Sequence, residues 1–286
     1  MKIIITIDTE ADDQWKQGAP ISISNVYALG RFQTLAEKYG MTPTYLLTYE
    51  VAADARAAAQ FREWQNAGRA EIGAHLHPWT TPPLEAGEER VNRFPSELPD
   101  DVLRAKFITL TEHITQAMGK RPTSYRAGRW GFDMRQAELL KEFGYCFDSS
   151  VTPGLSWAGT AGAPGGPGGP DFSYESVVPH KLNDSVLEVP MTILRSGLLF
   201  RKRWLRIFGN TTPGRLKSII KSAQRKKLPA IVFMIHSSEF VVGKSPYVKT
   251  PEALAHVYEC IEALFKLCKE YGIENAAASA FAKENL

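Results

Sequence analysis

Three absences narrow the classes of protein that this sequence of 286 residues can specify. No stretch approaches the roughly 18 to 20 consecutive apolar residues that a membrane-spanning helix needs. The 3 cysteines, Cys146, Cys260 and Cys268, do not have the spacing of a metal site, so we expect free, buried thiols and a cytoplasmic protein. Neither a glycine-rich phosphate loop nor a nucleic-acid recognition module is visible, which argues against a phosphotransferase and against a nucleic-acid partner.

Acidic residues are missing from one long stretch. Between Val189 and Ser238 the sequence has no aspartate or glutamate, but it has many basic residues, which cluster over residues 195–227, the basic segment. The whole chain carries a formal net charge of only +3, so this segment is a local asymmetry that attracts anionic partners. Apolar residues interleave with the charges from Leu198 to Phe208. Two interpretations follow, namely peripheral contact with a membrane surface and an ordinary solvated helix face.

Composition and length describe a packed enzyme-sized protein. The hydrophobic fraction is 44% and the charged fraction is 23%, as in ordinary globular chains. The length fits one α/β barrel with insertions, so we expect a single domain over residues 1–286. The apolar run from Ile3 to Ile7 is too short for the hydrophobic region of a signal peptide, so we expect a first strand there.

Strand and helix patterns alternate along the chain. Predicted strands are Ile3–Asp8, Thr42–Leu47, Glu71–His75, Ser124–Arg126, Ala230–His236 and Glu274–Ala278. Predicted helices are Val26–Tyr39, Asp54–Ala67, Asp100–Met118, Asp133–Phe143 and Pro251–Tyr271, and each ends close to a glycine. This rhythm indicates parallel βαβ units, about seven of which favour a (β/α) barrel over an open sheet.

One segment interrupts the rhythm. Residues 159–170 read GTAGAPGGPGGP, a composition that favours a mobile loop over a packed element. Its position after Asp148 suggests a lid near the mouth of a site, and the alternative is a surface insertion with no role.

Two short motifs bring acid and imidazole groups to strand ends. Because side chains alternate along a strand, Asp8 and Glu10 share one face of the first strand, and His75 and His77 share one face at the end of the strand over Glu71–His75. The carboxyl ends of parallel strands converge on one rim, so these four side chains can form one site. Two imidazoles and a carboxylate oxygen are a ligand set that suits a zinc-like ion. The motifs therefore predict a divalent metal site, for which we favour zinc, formed by Glu10, His75 and His77.

Five motifs taken together resemble a known family. TIDTE, EIGAHLHPW, YRAGRWGFD, GYCFDSS and IHSSE, in this order, are similar to the motif series of the NodB-type polysaccharide deacetylases, carbohydrate esterase family 4. The resemblance spans nearly the whole chain and implies a deformed (β/α) barrel that hydrolyses N-acetyl or related amides with a divalent metal. It also implies that Asp8 is the catalytic base, His75 a metal ligand, Arg126 the group that holds the base, and His236 the general acid. Asp148 would be the supporting carboxylate of His236.

The sequence departs from the family pattern at the metal. The common first motif has adjacent aspartates, whereas Thr9 follows Asp8 here, and the common second motif has histidines four residues apart, whereas Trp79 stands four after His75. Glu10 and His77 are therefore substitutes that we infer from strand geometry.

Several further side chains have two interpretations each. Trp79, Trp130 and Trp157 are candidate walls for a sugar ring or plain packing. Arg129 either binds an anionic group of the substrate or forms a surface salt bridge, and Glu239 either supports His236 or begins the next loop.

Three functions are consistent with this sequence. The first is metal-dependent hydrolysis of an acetamido or formamido group on an amino sugar or glycan precursor, carried on an anionic or lipid-linked group that would account for the basic segment. The second is hydrolysis of a small non-sugar amide, for which ureides derived from purines are a family precedent. The third is a glycan-binding protein that has lost the metal. Substrate, metal and oligomeric state are left open by the motifs.

Overall fold

Parallel strands form the frame of the molecule. A computed structural model describes residues 1–14, 16, 18, 20–84, 91–196 and 201–286. The strands within these ranges are β1 (Lys2–Thr9), β2 (Thr44–Leu47), β3 (Glu71–Leu76), β4 (Ser124–Ala127), β5 (Phe147–Asp148), β6 (His180–Lys181), β7 (Leu187–Glu188), β8 (Ile193–Ser196), β9 (Arg201–Trp204), β10 (Ala230–His236) and β11 (Glu274–Asn275).

Helices separate most of these strands. They are α1 (Gly30–Lys38), α2 (Tyr49–Ala53), α3 (Ala55–Asn66), α4 (Asp100–Met118), α5 (Met134–Glu142), α6 (Pro213–Arg225), α7 (Pro251–Glu270) and α8 (Ala278–Asn285). Side-chain caps fix several of their first turns: Asp54 accepts from the Ala57 N–H, and Asp133 accepts from the N–H groups of Arg135 and Gln136. In the described part of the chain, no helix combines the length and the apolarity that crossing a bilayer requires.

The sheet confirms the predicted α/β barrel class. Its strand order is β10-β1-β2-β3-β4-β5-β7-β6, and each neighbouring pair from β10 through β7 is parallel, which makes seven parallel strands. β6 joins the edge antiparallel to β7, and the short β11 pairs with the start of β1. The sheet curls into a half-barrel, as the deformed barrel predicted from the motifs requires.

Burial of the central strands explains why they carry almost no polar residues before their ends. Every residue of β1 from Ile3 onward is buried, and so is every residue of β10 before His236. Helices cover a parallel sheet on its outer face, so its strands become continuous apolar runs. Polar groups then appear only at the rim, where the parallel strands end together.

Two predicted elements need correction. The strand predicted over Glu274–Ala278 ends at Asn275, and Ala278 begins α8, whose Phe281 and Ala282 are buried. In the basic segment, for which no strand was predicted, β8 and β9 form an antiparallel hairpin, and the helix α6 follows.

The membrane contact considered for the basic segment stays a prediction, although two of its apolar residues lie in the core. Leu205 and Ile207 are buried in the core, so they are not available to enter a bilayer. Leu198, Leu199 and Phe200, on which this interpretation also relied, lie outside the described residues.

The glycine- and proline-rich segment, for which the composition predicts a mobile loop, has defined contacts with a neighbouring turn. Glu97, at the end of a 3-10 helix over Pro95–Glu97, accepts hydrogen bonds from the backbone N–H groups of Ala163 and Gly168 at 2.9 and 3.3 Å. A Cβ added to Gly162 would lie 2.2 Å from Glu97 Oε2, so this backbone approaches the carboxylate as closely as only glycine allows.

Candidate active site

The register of the parallel strands brings the predicted groups to one rim. Asp8 on β1 is the Cα partner of His236 on β10, and His75 on β3 is the partner of Arg126 on β4. Asp8, Glu10, His75, His77 and His236 all line the same cavity, and each of the first four is at most 4% exposed. Asp8 and Glu10 therefore face the same side, and so do His75 and His77, as the alternation along each strand predicted.

Glu10, His75 and His77 form a compact set of donors. Their ligand atoms all lie within 4.8 Å of one another. Glu10 Oε2 is 2.9 Å from His77 Nε2 and 3.7 Å from His75 Nε2. A tetrahedral ion with ligands at about 2.0 to 2.2 Å separates its ligand atoms by roughly 3.3 to 3.6 Å, so small side-chain movements suit this set to such an ion.

The second nitrogen of His75 orients its imidazole. His75 Nδ1 lies 2.9 Å from the backbone oxygen of Arg126, which leaves Nε2 facing Glu10. A metal-binding histidine commonly uses its other ring nitrogen in this way. Burial lowers the pKa of His75, but the nearby carboxylates of Asp8 and Glu10 outweigh burial and raise it above its ordinary value.

His77 lies against the backbone of the β4 motif. A Cβ on Gly128 would be 2.6 Å from His77 Nδ1 and 2.4 Å from the Leu76 carbonyl oxygen, so the absence of a side chain at Gly128 makes room for the imidazole. His77 Nδ1 is buried without a hydrogen-bond partner in the described part of the chain. Burial and the charge of His75 lower the pKa of His77 to about 4, so at neutral pH its ring is uncharged, the form that binds metals.

The chemistry of this donor set fits a catalytic divalent ion. Two histidines and one glutamate are the protein ligands of several hydrolytic zinc sites, and they leave a coordination position open. Glu10 is ionised, because the charges and hydrogen bonds of the surrounding histidines outweigh its burial and hold its pKa well below the ordinary range.

Arg126 fixes Asp8 next to the donors. The Arg126 side chain is fully buried; its Nη1 donates to Asp8 Oδ1, its Nη2 to Thr6 Oγ1 at 2.9 Å, and its Nε to the Ser149 carbonyl at 2.7 Å. Burial raises the pKa of Asp8, but the charges of Arg126 and the histidines outweigh it and hold the pKa below its ordinary value. Asp8 is thus an oriented carboxylate, 4.0 Å from His75 Nε2.

Glu239, and not Asp148, is the carboxylate that contacts His236. A 3-10 helix over Ser237–Phe240 turns the chain back after β10, so Glu239 Oε1 lies 2.7 Å from His236 Nδ1. The contacts described for Asp148 are with Ser150 and Glu188, so its implied role as the supporting carboxylate of His236 stays a prediction. The sequence left Glu239 open between two interpretations, and the contact decides between them.

Asp148 belongs to a buried acidic pair behind Arg126. Its Oδ1 accepts from Ser150 Oγ at 2.6 Å, and its side chain also pairs with Glu188, its register partner on β7. Burial and the adjacent Asp148 raise the pKa of Glu188 well above its ordinary value. Burial also raises the pKa of Asp148, against the opposing hydrogen bonds of its neighbours and the charge of Arg126.

Sequence reasoning missed the role of Arg206. Within the basic segment it was grouped with the surface charges Arg201, Lys202 and Arg203, yet it is only 6% exposed and its Nη2 donates to Glu239 Oε1 at 2.7 Å. The signal was present as an alternation: Leu205 and Ile207 face the core, whereas Trp204, Arg206 and Phe208 line the cavity.

Aromatic rings form the walls of the cavity, which has a volume of about 370 Å³. They are Trp79, Phe94, Trp130, Trp157, Trp204, Phe208 and Tyr247. Trp79 stacks at 4.2 Å from the His77 ring and donates from Nε1 to Gln14 Oε1 at 3.0 Å. Trp130 packs 5.4 Å from Trp204. A cavity that combines aromatic walls with convergent polar groups is typical of a site for a small ligand or one sugar unit.

Arg129 lies at the mouth of the cavity and ties two segments together. Its guanidinium donates to the backbone oxygens of Asn92 and Ala161, and it lies 4.1 Å from the Phe94 ring. These contacts are with backbone oxygens and not with an acidic side chain, and binding of an anionic group of the substrate by Arg129 stays a prediction. Arg129 and Trp130 both have positive φ, 54° and 63°, a strained conformation of the kind that is concentrated at functional sites.

Comparison with known proteins supports the fold. No protein-family model matches the sequence, and no curated protein matches it. Among solved structures, one described as a "putative polysaccharide deacetylase" from Mycobacterium smegmatis has a TM-score of 0.61 and 16% identity, covering 99% of this chain and 89% of that one. The chain has the polysaccharide deacetylase fold. The resemblance that the five motifs indicated is thereby confirmed for the architecture.

Two other solved structures have a similar fold and different functions. An allantoinase has a TM-score of 0.57 and 13% identity, covering 99% of this chain and 88% of the other. A pseudoenzyme of the CE4 family from Bacillus anthracis has a TM-score of 0.51 and 11% identity, covering 98% and 65%. At such identities the likeness establishes the NodB-like fold, and activity has to be argued from the site.

Proposed function

We propose that this protein is a metal-dependent amide hydrolase that removes an acetyl or formyl group from the nitrogen of an amino sugar or glycan precursor. The observation that carries the proposal is the convergence of Glu10, His75 and His77 in one cavity with Asp8 and His236. Polysaccharide deacetylases and an allantoinase among the structures of similar fold support hydrolysis of a C–N bond.

Glu10, His75 and His77 would hold the cation, and zinc suits their two nitrogens and one oxygen. A divalent cation bound there would polarise the amide carbonyl and make water more acidic. Asp8 takes the proton from the attacking water, a role for which its low pKa and fixed orientation by Arg126 keep it ionised. Arg126 itself does not touch the reacting atoms, so it is a positioning residue.

His236 protonates the departing nitrogen. Its Nδ1 faces Glu239, so Nε2 is the nitrogen directed toward the centre, 4.0 Å from Glu10 Oε1. Burial raises the pKa of Glu239, but the charge of Arg206 and the hydrogen bond to His236 outweigh it and lower the pKa. Glu239 thus stays ionised and stabilises the charged imidazole that a general acid must supply.

The walls of the cavity favour a cyclic substrate. Trp79 lies beside His77, and Trp130 and Trp204 pack together on the cavity wall. Flat aromatic faces bind the apolar faces of sugar rings, whereas a small acyclic amide would leave much of a cavity of about 370 Å³ unfilled.

The three free and buried cysteines support a reducing, cytoplasmic location.

One contact favours a second function, a metal-free glycan-binding protein. Glu10 Oε2 and His77 Nε2 are 2.9 Å apart, which is a hydrogen bond that satisfies both groups without an ion. A CE4-family pseudoenzyme has a similar fold. Hydrolysis of a small non-sugar amide such as a ureide is included in the test, because an allantoinase has a similar fold.

A substrate panel tests the proposal. Purified protein is stripped with a chelator, reloaded with zinc, and assayed for release of acetate or formate from N-acetyl and N-formyl amino sugars, and for hydrolysis of allantoin. We expect turnover of an amino-sugar amide that disappears with the metal and returns with it, and that is lost in His77→Ala but kept in His180→Ala, a change on β6 outside the cavity. Activity on allantoin alone would select the ureide function, and glycan binding without turnover would select the pseudoenzyme.

A further inference from the structure

A second cavity opens beside the active site on the basic segment. It has a volume of about 110 Å³, and it shares Trp204, Arg206 and Phe208 with the active-site cavity. Its other lining residues are Lys202, Arg203, Asn210, Thr211, Arg215 and Ile219. Ligand pockets for whole small molecules are usually about 300 Å³ or larger, so this space suits one functional group of a ligand that also occupies the main cavity.

The charge of this second cavity is of one sign. Four cationic side chains line it, and no aspartate or glutamate is among its described lining residues. The nearest carboxylate in the contacts of Arg206 is Glu239, which lies on the His236 side. Lys202 donates to the Gly154 carbonyl and Arg215 to the Asn210 side chain and carbonyl, so neither is neutralised by an acidic partner in those contacts.

Three of the residues that line this cavity each carry a buried N–H group without an acceptor. Arg203 Nε, Trp204 Nε1 and Arg206 Nε each lack a hydrogen-bond partner within the described ranges. Buried donors are nearly always satisfied in proteins, and an unsatisfied donor costs free energy. Donors concentrated on one small, cationic cavity are what an oxyanion would satisfy, since each of its oxygens accepts several hydrogen bonds.

We propose that the small cavity lined by Arg203, Trp204, Arg206 and Arg215 is an anion subsite that binds a phosphate group of the substrate, next to the sugar that occupies the main cavity. This proposal rests on the amide-hydrolase function in one respect only, namely that the group beside the phosphate is the sugar that carries the amide. Arg206 connects the two cavities, because it lines both and also contacts the Glu239–His236 pair. A bound phosphate would therefore lie beside the positioning residue of the general acid.

The geometry also limits the kind of substrate. The shared residues lie at the junction of the two cavities, so the phosphate is attached to the sugar that carries the amide or separated from it by a short link. A glycosyl phosphate, either free or as the headgroup of a lipid, has this arrangement. A neutral polysaccharide has oxygens that accept hydrogen bonds, but it has no negative charge to match the four cationic side chains that line the small cavity.

Phosphate binding can be measured without turnover. Inorganic phosphate is titrated calorimetrically at low salt into wild type, Arg203→Gln/Arg215→Gln, and the matched control Lys221→Gln/Arg225→Gln, which removes two exposed charges from α6 outside both cavities. Each titration is run on zinc-loaded and on zinc-free protein, so that phosphate bound to zinc is recognised. We expect binding to zinc-free wild type and to the control, and at least about tenfold weaker binding to Arg203→Gln/Arg215→Gln.

Equal affinity of the three proteins would overturn the subsite, and so would binding that requires zinc. If Arg203→Gln/Arg215→Gln fails to fold, Lys202→Gln, which changes only an exposed lining residue, must by itself weaken phosphate binding. Because zinc-free protein is used, a failure of the hydrolase proposal would leave this result unaffected, and the reverse also holds.

Two further probes identify the source of the phosphate. Hexyl phosphate represents a soluble phosphate ester, and vesicles of phosphatidylglycerol in phosphatidylcholine represent a lipid headgroup. Binding of hexyl phosphate that depends on Arg203 and Arg215, without vesicle binding, supports a soluble glycosyl phosphate. Vesicle binding that is lost in the same variant and retained in the control supports a lipid-linked one. Binding of neither probe by wild type would contradict the proposal.

Discussion

At the scale of single residues, Arg126 and Glu239 are charged supporting groups, whereas Asp8 and His236 are placed to transfer a proton. Arg126 and Glu239 are held by several contacts each, and they face Asp8 and His236 from the side away from the metal donors. Such supporting contacts matter because a general acid or base works only in one orientation and one protonation state. The two pairs Arg126–Asp8 and Glu239–His236 can therefore be tested separately.

Replacing Asp8 by Asn should abolish catalysis without emptying the metal site. Asparagine keeps the shape of the side chain but cannot accept the proton of water, so we expect kcat to fall by about 100-fold or more. Metal content, measured on the same preparation, should stay within error of wild type, because Glu10, His75 and His77 remain. A variant with wild-type kcat would show that Asp8 is not the base.

Glu239→Gln should lower kcat about tenfold or more and leave KM nearly unchanged, because the amide no longer stabilises the charged His236. Asp148→Asn is the comparison variant, and its kcat is measured in parallel. Our assignment expects the loss of kcat to be larger for Glu239→Gln than for Asp148→Asn, and the opposite order would restore the role that the family resemblance implied for Asp148.

At the scale of elements, the sequence predicted the long helices and strands with periodic patterns, and it missed two-residue strands and contacts made by short turns. Long strands and helices were found because they have clear periodicity and caps, as in α4, whose predicted end at Gly119 is observed with a φ of 71°. β5 and β7 have two residues each, too few for any periodic pattern. The converging strand ends brought Asp8, Glu10, His75 and His77 together as predicted. The contact of Glu239 with His236 depends on a short 3-10 turn, so it did not follow from strand patterns. The alternation after β9 separates Arg206 from the core residues, but its contact with Glu239 depends on the path of the chain.

The segment over residues 159–170 gives a prediction at this scale. Its backbone N–H groups bind Glu97, and its Thr160 lines the active-site cavity. Glu97→Ala removes the acceptor for these groups, so we expect faster proteolysis within 159–170 and a higher KM. The matched control is Glu112→Ala on α4. Identical proteolysis rates and KM values for the two variants would mean that Glu97 does not hold this segment.

At the scale of the whole molecule, the buried Glu188–Asp148 pair links stability to pH. Folding raises the pKa of Glu188 above its ordinary value of 4.5, because burial and Asp148 disfavour the charged form. The unfolded chain therefore binds fewer protons than the folded one above that value. Stability contributed by the protonated pair is fully present below about pH 4.5 and is lost as the pH rises toward the raised pKa.

Glu188→Gln should remove this dependence. Glutamine still accepts from the Val151 N–H and can donate to Asp148, but it has no proton to lose. We expect the free energy of unfolding of wild type to fall, relative to the variant, by up to on the order of 1 kcal/mol per pH unit above pH 4.5. Denaturant titrations at several pH values measure the difference, and parallel pH profiles for the two proteins would show that Glu188 is ionised in both states.

The central claim is that Glu10, His75 and His77 bind one divalent ion, and the most direct test is anomalous diffraction from crystals grown with zinc. The claim predicts one strong peak at the zinc edge, at about 2.0 to 2.2 Å from Glu10 Oε2, His75 Nε2 and His77 Nε2, with the direct contact between Glu10 and His77 opened. A map without a peak between these atoms, with Glu10 and His77 still hydrogen-bonded at 2.9 Å, would contradict the claim.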